Sequence, residues 1–114
     1  MIFAKFFEKK PNEKNVVRFW KEFDARSEFY LDVLKKDGED SEDYIFVISC
    51  VKEGLRKCCI DATVPFDFTF NKECEPMRFV FHHYNDRYLK QAGECLLKQF
   101  PATLKDRMTF LTAE

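Results

Sequence analysis

Glycine is scarce in this chain: Gly38, Gly54 and Gly93 are the whole complement, and no two are close together. Both glycine-rich nucleotide fingerprints need clustered glycines so that the backbone can approach a phosphate, so neither is present. Histidine is limited to the neighbours His82 and His83. There is no H-E-x-x-H, no G-x-S-x-G and no carboxylate pair in a catalytic context. No apolar run approaches the ~20 residues needed to span a bilayer. The stretch from Ile2 to Phe7 is interrupted by Lys5, is too short for the apolar region of a secretory leader, and lacks a small-residue cleavage site. Excess positive charge is missing too: a net charge of −1 and a pI near 6.1 argue against general nucleic-acid binding.

Cys50, Cys58, Cys59, Cys74 and Cys95 are odd in number and form no C-x-x-C pair, so reduced thiols in a cytosolic protein are expected. Cys50, Cys58 and Cys95 fall on expected helices among apolar neighbours, where thiols are inert packing. Cys59 and Cys74 lie near turns and are the thiols a reagent should find.

Aromatic rings are abundant. Fourteen phenylalanines, four tyrosines and one tryptophan make up 17% of the 114 residues, which predicts a core of few, large side chains. Residues 1–114 fit a single domain. Apolar and then basic residues 1–11 are expected as a flap or extra element that packs Phe3, Phe6 and Phe7 onto the body.

Val16, Phe19, Trp20, Phe23, Ser27, Tyr30, Leu31 and Leu34 keep the spacing of one helical face, from a cap at Asn12 or Asn15 to about Lys36. Gly38 offers a left-handed stop. Glu22→Arg26 and Asp32→Lys36 are spaced as i,i+4 ion pairs with the acid first. A second helix is predicted from a cap at Asp40 or Ser41 to about Cys59, because Tyr44, Val47, Ile48, Val51, Leu55 and Cys58 hold the helical period, with Glu53→Lys57 as an exposed pair. Phe66, Phe68 and Phe70 alternate with polar residues, and Met77 to Tyr84 alternates on the return, which reads as a hairpin. A helix capped by Asn85-Asp86 and running through Gln99 follows, with Gly93 at a close approach, then a strand from Met108 to Thr112.

The predicted order is α-α-β-β-α-β. The fold class is α+β, two layers, with helices covering one face of a small, mostly antiparallel sheet. Its edges invite a fourth strand from residues 2–7 or from a second copy. The order and the Phe-Trp-containing first helix resemble small bacterial α+β domains, a likeness that implies no activity and no site residue.

The run Asp37, Glu39, Asp40, Glu42, Asp43 misplaces the glycine and the bidentate glutamate of a calcium loop. It reads as a solvated turn or as a surface for a basic partner. His82, His83 and Cys74 are candidate metal ligands, although adjacent strand residues point to opposite faces. Arg78 to Tyr84 lacks the glycines of an RNA-stacking strand. No cofactor, nucleic acid or membrane span is expected. The function expected first is a cytosolic, non-enzymatic interaction protein that self-associates, as a homodimer through a sheet edge. An inhibitory or immunity-type binder using the acidic run, and a metal-dependent enzyme around His82, His83 and Cys74, are the alternatives.

Overall fold

The computed structural model describes residues 10–114. The expected packing of Phe3, Phe6 and Phe7, and the strand from residues 2–7, lie outside the described residues. The chain forms α1 (Glu13–Ala25), α2 (Ser27–Lys36), α3 (Glu42–Cys58), β1 (Asp67–Asn71), β2 (Met77–His82), α4 (Arg87–Lys98), a 3₁₀ turn (Ala102–Leu104) and β3 (Met108–Ala113). The α+β class and the layering match the sequence expectation.

The predicted first helix is two helices, because the chain breaks at Arg26 (φ −109°, ψ 11°). The buried Ser27 causes the break locally: its hydroxyl donates to the Asp24 carbonyl at 2.8 Å and accepts from Arg107 Nη2 at 2.7 Å. A serine that bonds nearby backbone competes with the helical ladder. Val16, Phe19, Trp20 and Phe23 of α1, and Tyr30, Leu31 and Leu34 of α2, remain buried across the break.

Gly38 does not supply a left-handed stop, since no glycine has positive φ among the described residues. Asp37 ends α2 in an extended conformation (φ −84°, ψ 151°). Ser41 then caps α3, its hydroxyl donating to Asp37 Oδ2 at 2.9 Å and accepting from the Tyr44 N–H at 3.1 Å. The capping role of Asn12 on α1 is as expected.

The sheet has the order β1-β2-β3. It is mixed: β1 is antiparallel to β2, pairing Phe70 with Phe79, and β3 is parallel to β2, pairing Phe79 with Phe110. A parallel return requires a crossover, which α4 supplies. β2 stops at His82, short of the predicted Tyr84, because Tyr84 and Asn85 turn left-handed (φ 52° and 60°) ahead of the Asp86 cap.

Met77, Phe79 and Phe81 are buried beneath the helices, whereas Arg78, Val80, His82, Thr109 and Leu111 form an exposed or half-buried opposite face. Trp20 centres the covered side. Its ring meets Phe19, Phe100 and Phe110 at centroid distances of 5.0, 5.1 and 5.2 Å, and its Nε1–H donates to the Leu96 carbonyl at 2.9 Å.

Two glycines permit this packing. A Cβ at Gly54 would lie 2.6 Å from Cδ1 of the buried Phe19 ring, and one at Gly93 would lie 2.8 Å from Thr112 Cγ2. Alanine gains ~1 kcal/mol of helix propensity over glycine, but overpacking a filled core costs ~1–3 kcal/mol. Gly54→Ala and Gly93→Ala are therefore each expected to lower the urea midpoint. A raised midpoint in either variant would mean the helix yields there without strain.

Candidate functional site

The hairpin candidates do not converge. His82 pairs with Asp67 at one end of β1, while Cys74 lies in the connection beyond the Asn71–Arg78 pair at the other. Four residue steps separate those pairs, about 14 Å at ~3.4 Å each. Both ring nitrogens of His82 have neighbours: Nδ1 is 3.0 Å from the Glu114 carbonyl and Nε2 is 3.2 Å from Thr69 Oγ1. His83 Nδ1 accepts from the Asn85 N–H at 3.0 Å. The two imidazoles thus close the end of the sheet. No group of three or more His, Cys, Asp or Glu side chains suited to a metal occurs among the described residues.

The acidic run is divided by α3. Asp37 holds Ser41, and Glu42 and Asp43 occupy the first turn of the helix, where a carboxylate is stabilised by ~0.3–1 kcal/mol. Asp40 is exposed, and Glu39 faces a groove beside β1.

That groove lies at the edge of the sheet, where, among the described residues, β1 has β2 on one side only. Its volume is about 400 Å³, and Tyr44, Ile48 and Lys52 line it opposite Phe66, Phe68 and Phe70. The three phenylalanines are half-buried and in mutual contact, Phe66 to Phe68 at 6.5 Å and Phe68 to Phe70 at 6.0 Å. Phe70 anchors the row on the buried Phe79 at 4.5 Å. An edge strand offers backbone groups for pairing, and this one carries no Pro or Lys to deter it, although its Phe68 N–H donates to Asp67 Oδ1 at 2.8 Å, a bond that a pairing strand would have to replace. Alternation in the sequence located the strand, but the apposition of α3 residues had no local signal.

A second cleft, of about 310 Å³, separates α1 from α3. Arg18 and Glu22 border it from α1, Arg26 from the break that follows, and Cys50, Glu53 and Lys57 from α3. At one end the Tyr30 hydroxyl accepts from Arg26 Nη1 at 3.4 Å. Burial, opposed by that cation, pushes the Tyr30 pKa up. Cys50 is half-buried and packs against the core, as expected, while also lining this cleft.

Cys59 corrects the expectation for reagent access: it is buried, like Cys58, while Cys74 is half-buried. Burial pushes both Cys58 and Cys59 up to about 12.

No family model matches the chain, and no curated protein or solved structure is significantly similar to it. No helix among the described residues is long and apolar enough to cross a membrane.

The buried thiols make stability fall at high pH. Both states keep the protons below the ordinary thiol value of 9.0; between there and about 12 only the unfolded chain ionises. Denaturant midpoints should decline over that window, and Cys58→Ala/Cys59→Ala should flatten the decline. In native alkylation near neutral pH followed by peptide mapping, Cys74 should be modified well before Cys58 and Cys59. Equal rates would show that the helix end carrying those two opens readily.

Proposed function

We propose that this protein acts by association and not by catalysis, and that its partner is a second copy bound edge to edge along β1. The observation that carries the reading is the β1 edge, which has no strand partner among the described residues, beside a groove lined by the half-buried Phe66, Phe68 and Phe70. Extended segments bind such edges through main-chain hydrogen bonds, with alternate side chains seated in the adjoining groove.

The sequence of β1, Asp-Phe-Thr-Phe-Asn, suits pairing with itself. A two-fold axis through Thr69, perpendicular to the sheet, sets Phe68 against Phe70 of the second copy and Asp67 against Asn71. Every phenylalanine then stays on the apolar face, and neither charged nor amide end meets its own kind. A one-residue slip would turn phenylalanines toward the polar face.

The strand is short, so the association is weak. Five residues give a handful of hydrogen bonds at a net ~0.5–1.5 kcal/mol each. Against them stands an association cost of ~4–15 kcal/mol. Burial of the phenylalanine row must supply the difference.

Light scattering across a concentration series up to about millimolar should resolve a reversible monomer–dimer equilibrium. Thr69→Lys places like charges opposite each other at the axis, and Thr69 is exposed, so the fold should persist while the dimer weakens severalfold. A strict monomer throughout, or an unchanged dimer in Thr69→Lys, would overturn the reading.

A further inference from the structure

The groove along β1 carries opposite charge at its two ends. Lys52 lines it and also borders the neighbouring hollow formed with Ala62, Val64 and Phe66, so it stands at the Phe66 end. Tyr44 lies earlier on the same side of α3, about 12 Å away at ~1.5 Å per residue. Phe66 to Phe70 cover a similar length, about 14 Å at ~3.4 Å per residue. The helix therefore runs alongside the strand in the opposite direction, with Tyr44 at the Phe70 end. Glu39 is beside Tyr44: burial first, and then the charge of Glu39, push the Tyr44 pKa up.

Neither charge is committed within its own chain. Asp32 pairs with Lys36 at 2.7 Å and Glu53 with Arg56 at 3.4 Å, whereas Glu39 and Lys52 form no ion pair among the described residues. Both are exposed. Asp40 adjoins Glu39 and reinforces the acidic end, while Arg56, which borders the hollow beside Lys52, is already answered by Glu53. Lys72 and Glu73, in the connection after β1, are of opposite sign and leave that balance unchanged.

We infer that Lys52 of each copy pairs with Glu39 of the other, so that two symmetric ion pairs flank the β1–β1 contact and fix its register. The inference rests on the edge-to-edge reading above. The two-fold axis through Thr69 exchanges the ends of the groove, laying the Phe66 end of one copy against the Phe70 end of the other. Acid then meets base twice, and complementary charge selects the partner. A second copy supplies the cation that the acidic stretch lacks in its own chain.

Charge reversal followed by mixing tests the pairing. Glu39→Lys sets lysine against lysine in both pairs, and Lys52→Glu sets carboxylate against carboxylate. Each variant alone should self-associate about tenfold more weakly than the unaltered chain. Mixed in equal amounts, the two should form a heterodimer, because both of its pairs are again of opposite sign. Light scattering should then give a higher average mass for the mixture than for either variant at the same total concentration. Far-UV circular dichroism checks that each variant remains folded. Adding Thr69→Lys to both should abolish the gain. If the unaltered chain dimerises but the reversals leave it as tight and mixing adds nothing, the ion pairs are refuted while the edge-to-edge reading stands. A gain on mixing that survives Thr69→Lys also refutes them, by placing the two charges at another face. An unaltered chain and a mixture that both stay monomeric remove the edge-to-edge reading and this pairing with it.

Discussion

The indole N–H of Trp20 has to find an acceptor, because the ring is buried and an unpaired donor there costs ~1–3 kcal/mol. The acceptor is the Leu96 carbonyl in the last turn of α4, one of the terminal carbonyls that a helix cannot pair within itself. Two deficits of the secondary structure therefore cancel each other. The bond fixes α1 against α4, and the edge-on contacts of the same ring with Phe79 and Phe110 fix both helices to the sheet.

That arrangement commits every helix among the described residues to one side of three strands. The aromatic stripe of α1 and α2 is consumed in cohesion: Trp20 and Phe23 are 2% exposed and Tyr30 is 4% exposed, so none of them lines an open cavity beside an imidazole. Concave surface arises instead where the layers stop matching. One such place is the β1 edge, where α3 stands across from the strand. The other lies between α1 and α3, which touch tightly at Phe19 and Gly54 and leave a cleft lined from Asn15 and Lys57 to Arg26 and Phe46.

Periodicity carried most of the fold. The stripe from Val16 to Leu34, the helical phase of Tyr44 to Cys58 and the alternation in each strand all identify elements that form. The break at Arg26 escaped because the apolar phase continues through it; Ser27 makes it by bonding the Asp24 carbonyl, and only the fold brings Arg107, far away in sequence, to hold that hydroxyl. The parallel placement of β3 likewise depends on where α4 lays the chain down. At the candidate sites, the composition of β1 was legible but its groove was not. Spacing alone also assigned Arg26 and Lys57 to ion pairs, whereas Tyr30 and Arg56 compete for the partners. Cys59 looked accessible from its place near a turn, yet the turn folds inward.

The path of β3 has a consequence for how the polypeptide is made. Trp20 emerges early in translation, but Phe79 and Phe110, which sheath it, are added much later. Until Phe110 has been made, a nascent chain carries the ring-lined side of α1 without its covering strands, and local contacts alone cannot hide it. Long sequence separation between mutually dependent groups slows ordering and leaves apolar surface available to other molecules. Among the stages of this protein's existence, the period on the ribosome is when its tryptophan most needs a chaperone's shelter.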